Sequence, residues 1–171
     1  MKIYLVGYMA SGKSKLGKEL ATLTGLSFID MDDVFEERYK IGIFDFFEKY
    51  GDLAFRPIEH QLLLETEFLK NTIIATGGGT PCSAENIRFI KANGISIYIQ
   101  MNAADLASRL KCVKKKRPLL KDVPYEGLEQ FIRDQLDERE PYYLLADHVV
   151  QGPVIDLKEL GDLIRGRIRM D

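Results

Sequence analysis

The sequence is short of the residues that mark several function classes. Only two cysteines occur in 171 residues, Cys82 and Cys112. They stand far apart and neither has a C-x-x-C partner, so both read as reduced thiols of a cytoplasmic protein rather than as parts of a disulfide framework. Histidine is equally scarce, with two in the chain; His60 has no partner at metal-ligand spacing and is assigned no role. No apolar run approaches the length of a membrane span. The one at the N-terminus is too short for a secretory signal and leads straight into a glycine-containing loop. Neither sign of charge dominates. The 24 Lys and Arg stand against 26 Asp and Glu, a net charge of −2, which gives no basic excess for nucleic acid or an anionic membrane. Internal repeats and low-complexity segments are also missing. What is left is the profile of one folded domain over residues 1–171, with 46% hydrophobic and 29% charged residues and enough length for a sizeable core.

What is present begins with Gly7-Tyr8-Met9-Ala10-Ser11-Gly12-Lys13-Ser14, a match to the phosphate-binding pattern G-x-x-x-x-G-K-[ST]. The glycines allow backbone conformations closed to other residues, so successive N–H groups can turn onto phosphate oxygens. A helix starting near Gly12 adds the positive end of its dipole. Lys13 brings a mobile charge to the outer phosphates, and the Ser14 hydroxyl can ligate Mg²⁺. The context agrees with the pattern. Lys2 to Val6 reads as a short strand before the loop; Leu16, Leu20 and Leu23 follow at helical spacing, and Gly25 ends the helix.

Leu26 to Asp30 reads as a second strand, followed by Met31-Asp32-Asp33. If the extended geometry persists through Asp32, then Asp30 and Asp32 point to the same side of the sheet's C-terminal edge, where ligands bind in open α/β sheets. One carboxylate there can hold a metal's water shell and the other can accept a proton from a substrate hydroxyl. Capping of the next helix is the alternative use, and it suits Asp32 or Asp33 better than Asp30, which lies a step too early.

Val34 to Tyr50 then predicts two short helices broken near Gly42, with Phe44, Phe46, Phe47 and Tyr50 as core. A longer helical pattern covers Asp52 to Lys70, kinked at Pro57 or beginning there. Within it a helical Arg56 lies one turn from Glu59, which orients the guanidinium; a surface ion pair is the plainer reading. Thr72 to Thr76 is an apolar strand ending in Gly77-Gly78-Gly79-Thr80-Pro81, where three glycines permit close backbone approach to a ligand. Ser83 caps a helix to Asn93-Gly94, Ile95 to Ile99 is a strand, and a helix runs from Ala103 to about Val113. This alternation predicts a three-layer, doubly wound parallel sheet of about five strands. Lys114 to Lys121, rich in basic residues and bracketed by Pro118 and Pro124, reads as a lid that brings an arginine over the phosphates, within a segment of about 112–124. A charged helix from Tyr125 to Glu140, a strand at Asp147 to Val150 and a helix from Asp156 to Met170 complete the chain.

Taken together, GYMASGKS, FIDMD, FRPIE, ATGGGTP, KRPLL and the looser REPYY resemble one family, the shikimate kinases, over nearly all of residues 1 to 150. The resemblance implies a P-loop kinase of the nucleoside monophosphate kinase type that phosphorylates the 3-hydroxyl of shikimate with ATP and Mg²⁺. It implies ATP contacts from Ala10, Ser11, Gly12, Lys13, Ser14, Lys15, Arg109 and the lid residue Arg117. Ser14 would bind the metal directly and Asp30 through water. Asp32 would bind and deprotonate the acceptor hydroxyl, with Lys13 and Arg117 stabilising the transferring group. Arg56 and Arg139 would clamp the acceptor carboxylate beside Gly77, Gly78 and Gly79, in an acceptor-binding segment of about 31–60. A monomer is expected. The chain departs from the family pattern at Lys15, where threonine is common, and at Pro57, Pro81, Glu140 and Tyr142. The rival readings are a gluconate or nucleoside monophosphate kinase of the same fold, a non-catalytic nucleotide switch, and a nucleic-acid binder using the lysine run.

Overall fold

Four apolar residues in a row, Ile3 to Val6, are all buried in the first strand, β1 (Lys2–Val6). Burial on both faces is what a central strand of a covered parallel sheet requires. The computed structural model describes residues 1–112, 120–121 and 123–168. Within them β1 pairs on one side with β3 (Thr72–Ala75) and on the other with β4 (Ile95–Gln100). The edges are β2 (Ser27–Asp30), which pairs with β3, and β5 (His148–Gln151), which pairs with β4. All pairings are parallel and the order is β2-β3-β1-β4-β5, as the strand–helix alternation predicts.

The two-residue period of the strands divides the core into two layers. Ile3, Leu5, Ile73, Ile97 and Ile99 pack with Leu16 and Leu20 of α1 (Lys13–Thr24) and with Leu160 and Ile164 of α8 (Leu157–Ile168). Tyr4, Val6, Ile74 and Tyr98 face the opposite way. Over them lie α2 (Met31–Tyr39), α3 (Ile43–Tyr50), α4 (Asp52–Glu65), α5 (Ala84–Asn93), α6 (Ala103–Cys112) and α7 (Leu128–Tyr143). Phe35, Phe46 and Phe55 meet there edge to face, with centroids 5.0 to 6.1 Å apart. Of the four aromatics expected as core only Phe46 is buried, Phe44 and Phe47 being partly covered and Tyr50 exposed at the end of its short helix.

Several boundaries differ from expectation, for local reasons. The extended geometry stops at Asp30, because α2 starts at Met31 and Asp30 is its N-cap, its carboxylate accepting from the Asp32 N–H at 3.0 Å. Capping therefore falls to the residue that sequence spacing disfavours for it. Neither internal proline ends its helix: α4 runs through Pro57 and α7 through Pro141. Each proline removes a bond to the carbonyl four residues earlier. Those carbonyls belong to Leu53 and Asp137, both solvent-exposed positions where water can take the bond. The helical pattern from Asp52 also overstates the core, since Leu53 is 90% and Phe68 81% exposed. The last residues of that stretch form a 3₁₀ turn, Thr66–Phe68.

Candidate active site

The loop after β1 has the backbone that its glycines predict. Gly7 and Gly12 hold φ values of +142° and +101°, and a Cβ on Gly7 would lie 2.8 Å from the Ile99 carbonyl oxygen. Any other residue there would be both strained and crowded. Lys13, the first residue of α1, is buried and folds back over the loop, its Nζ donating to the Gly7 and Tyr8 carbonyls at 2.8 Å each. Arg109 reaches the loop from α6, with Nη1 3.2 Å from the Ser11 carbonyl and 3.4 Å from that of Ala10. Ser14 donates to Asp30 Oδ2 at 2.5 Å while Asp30 Oδ1 caps α2. One carboxylate thus ties the start of α1 to the start of α2. A cleft of about 540 Å³ opens over these groups, lined among others by Ala10, Gly12 to Lys15, Asp30, Asp32, Gly78 and Arg109. Ser11 is buried beside it. Lys15 is exposed at its rim and 3.9 Å from Glu19.

A second pocket adjoins this cleft and shares Met9, Asp32 and Gly78 with it; Arg56, Glu59, Gly77, Gly79 and Arg139 line it too, and Ile43, Phe47 and Phe55 give it an apolar side. Two of the three glycines make room for the protein's own side chains. A Cβ on Gly79 would sit 2.5 Å from Arg56 Nη1, and one on Gly77 2.7 Å from Glu59 Oε1. Gly78 instead backs onto the phosphate loop, its Cβ position 3.1 Å from the Met9 nitrogen. Arg56 donates through Nη1 to the buried Glu59 at 2.7 Å and through Nε to Asp52 at 3.0 Å. Burial alone would lower its pKa, but the charge and hydrogen bonds of Glu59, followed by those of Asp52, carry it above the ordinary value. Its N–H edge is held by helix neighbours at i−4 and i+3, as the spacing to Glu59 predicts. Arg139, on α7, donates to Gln135 at 2.6 Å, and its guanidinium lies over the Tyr8 ring.

Other residues fix this arrangement, and sequence reasoning missed most of them. Thr80 Oγ1 donates to Glu59 Oε1 at 2.7 Å. The Tyr143 hydroxyl donates to the Gly78 carbonyl at 2.5 Å, joining α7 to the glycine strap. Burial pushes the Tyr143 pKa well up, so this donor stays protonated. Glu140, a departure from the family pattern, accepts from Tyr98 at 2.9 Å and from Gln100 at 2.7 Å and so fastens α7 to β4. Only Glu59 carried a local signal, its spacing from Arg56; Thr80, Glu140 and Tyr143 find partners far away in sequence. Arg117 and most of the 112–124 segment lie outside the described residues.

Comparison with known proteins follows the same line. A sequence model described as shikimate kinase matches residues 9–156. A shikimate kinase of Parabacteroides distasonis is 43% identical over 145 residues, covering 85% of this chain and 84% of that protein. The structure resembles that of a shikimate kinase from Bacteroides thetaiotaomicron, with a TM-score of 0.88, 30% identity and coverage of 99% and 98% of the two chains. It also resembles a shikimate kinase from Acinetobacter baumannii solved in complex with shikimate, with a TM-score of 0.86, 35% identity and coverage of 99% and 93%.

Proposed function

The chain belongs to the shikimate kinase family, and from that premise we propose that it transfers the γ-phosphoryl group of ATP to the 3-hydroxyl of shikimate. The products are shikimate 3-phosphate and ADP, and the step serves aromatic amino acid biosynthesis through chorismate. The observation that carries this reading is the convergence of Arg56, Arg139 and Asp32 on one pocket that shares a wall with the phosphate-loop cleft. Two guanidinium groups suit a planar carboxylate. A carboxylate between acid pocket and phosphate loop suits an acceptor hydroxyl placed for in-line attack.

In this reading Asp32 accepts the proton of the acceptor hydroxyl as its oxygen attacks the γ-phosphorus and the bond to ADP breaks. Lys13 leaves the Gly7 and Tyr8 carbonyls for the phosphates and balances charge on the transferring group. The N–H groups from Ala10 to Lys15 hold the phosphates, Arg109 lies on the nucleotide side, and Arg117 approaches from the lid. The neighbouring Ser14 hydroxyl and Asp30 carboxylate form a hard-oxygen donor set that suits Mg²⁺, which keeps most of its water and phosphate ligands. Bound there, the ion would neutralise phosphate charge. Gly77, Gly78 and Gly79 bring backbone close to the acceptor. We read residues 1–171 as one domain, with acceptor contacts from about 31–60 and a lid at about 112–124. The protein works as a cytoplasmic monomer on shikimate and ATP, without nucleic acid or membrane. Among the described residues no helix is long and apolar enough to cross a membrane.

The test is ADP release from MgATP with shikimate, gluconate or AMP supplied singly. Shikimate-dependent turnover that stops with EDTA is the expected result. Turnover with gluconate or AMP alone overturns the acceptor site while leaving the phosphate loop in place.

A further inference from the structure

Tyr8 is the second residue of the phosphate loop, yet its side chain lines neither the nucleotide cleft nor the acceptor pocket. It is buried in the core layer that also holds Tyr98 and Tyr143. Its hydroxyl has no hydrogen-bond partner among the described residues, a destabilising arrangement for a buried polar group. Burial pushes its pKa up to about 12, with the positive charge of Arg139 acting in the opposite direction. The side chain is therefore a neutral phenol whose hydroxyl is not what fixes it in place.

Its ring offers something else. The Arg139 guanidinium carbon lies over it, 5.5 Å from the centroid, inside the reach of about 6 Å for a cation–π contact. A guanidinium that rests its face on an aromatic ring keeps its N–H edge for a carboxylate. We propose that Tyr8 is a positioning residue of the acceptor site, its ring face seating Arg139 so that the N–H edge meets the acid. This rests on the reading of Arg139 as a clamp for the shikimate carboxylate. On the nucleotide side the same residue acts through its main chain, its carbonyl accepting from the Ser11 N–H at 3.2 Å and, until nucleotide draws the lysine away, from Lys13 at 2.8 Å. Side-chain substitutions keep that carbonyl, so the two halves of the reaction respond differently to them.

The experiment compares Tyr8→Leu, Tyr8→Met and Tyr8→Phe in the full chain by steady-state kinetics, with melting temperatures as a check on folding. Loss of the ring should raise the KM for shikimate about fivefold to twentyfold, the range that a partly desolvated cation–π contact implies, with the KM for ATP within about twofold. Tyr8→Phe should recover most of the lost affinity and melt no lower than wild type, since it removes only an unpartnered hydroxyl. In an Arg139→Ala background Tyr8→Leu should add little to the loss in kcat/KM, as expected for two residues acting through one contact. Equal shifts in both KM values, failure of Tyr8→Phe to recover affinity, or an undiminished Tyr8→Leu effect without Arg139 would each overturn the proposal. If Tyr8→Leu does not fold, Tyr8→Met and Tyr8→Phe give the same comparison. A wild type inactive on shikimate overturns the functional reading and this proposal with it; an active wild type with an unaffected Tyr8→Leu overturns this proposal alone.

Discussion

Glu59 Oε2 accepts from Arg56 Nη1 at 2.7 Å while its other oxygen accepts from Thr80 at 2.7 Å. The buried carboxylate thus joins a helix-borne guanidinium to the strap that follows β3. Glu59→Gln keeps the shape and removes the charge. Arg56 is about a third exposed, so solvent screens part of the pair and the stability loss should be modest, about 1–2 kcal/mol in urea unfolding. The acceptor side should suffer more, with the KM for shikimate rising about tenfold and the KM for ATP nearly unchanged. Equal effects on both substrates would mean that Glu59 supports the fold in general and not the clamp.

Gly79 tests the same geometry from the other direction. Its φ is not in the left-handed region, so the backbone tolerates alanine, but the new methyl would lie 2.5 Å from Arg56 Nη1. The far end of a flexible side chain can move aside. The protein should therefore fold, and the guanidinium should lose its place between Asp52 and Glu59. Gly79→Ala is expected to cost less than about 1 kcal/mol in stability and to raise the KM for shikimate about tenfold. A large drop in melting temperature with unchanged affinity would show that the strap, not Arg56, takes up the strain.

These two positions also show how much of the site was legible beforehand. The phosphate loop, the strand end at Asp30 and the need for small residues at 77–79 rest on short-range rules, and the chain shows them plainly; Asp32 reaches the same edge from the first turn of α2 and not from an extended strand. The sheet followed from strand–helix alternation and from fully apolar strands. The partners of the glycines could not be read, because Arg56 and Glu59 approach them through tertiary folding. The same holds for Tyr143, whose bond to Gly78 spans 65 positions, and for Tyr8 beneath Arg139. Proline misled in both long helices, where solvent can replace the one lost backbone bond. Asp30 misled too: capping and metal-side roles were read as alternatives, yet its two oxygens point to different partners.

That division of labour on Asp30 can be separated by substitution. Oδ1 caps α2 and Oδ2 meets Ser14. Asp30→Asn retains an oxygen for the cap, so its melting temperature should stay close to wild type, while the Mg²⁺ concentration for half-maximal activity rises several-fold. Asp30→Ala loses the cap as well and should cost about 1 kcal/mol more. If Asp30→Asn leaves the Mg²⁺ dependence unchanged, the carboxylate is purely a structural tie between α1 and α2.

The two thiols should differ sharply in reactivity. Burial pushes the Cys82 pKa up, partly offset by Arg139 and by a hydrogen bond with Tyr143, so its thiolate fraction at pH 8 lies below that of an ordinary thiol. Cys112 is exposed at the mouth of the nucleotide cleft. Iodoacetamide followed by mass spectrometry should find Cys112 modified at least about tenfold faster, and raising the pH should accelerate Cys82 over a higher range. Saturating ATP should slow labelling of Cys112 and leave Cys82 unchanged. Faster labelling of Cys82 would mean that the α7–strap junction opens readily.

Asp32 carries the chemical step in this reading. It lies one residue into α2, in the wall common to the cleft and the acceptor pocket. A Cβ on Gly77 would come within 3.3 Å of its Oδ1, so the carboxylate is packed against the strap that walls the second pocket. A base placed there should contribute about 10² to 10⁴ in rate. The lower end is the better expectation, because a loose phosphoryl-transfer transition state places little demand on nucleophile deprotonation. Asp32→Asn keeps the size and a hydrogen-bonding oxygen, so ATP affinity by calorimetry should stay within about twofold and shikimate affinity should fall only moderately, while kcat drops at least a hundredfold. Full turnover by Asp32→Asn would remove Asp32 as the base and leave positioning by Arg56, Arg139 and the phosphate loop as the source of the rate.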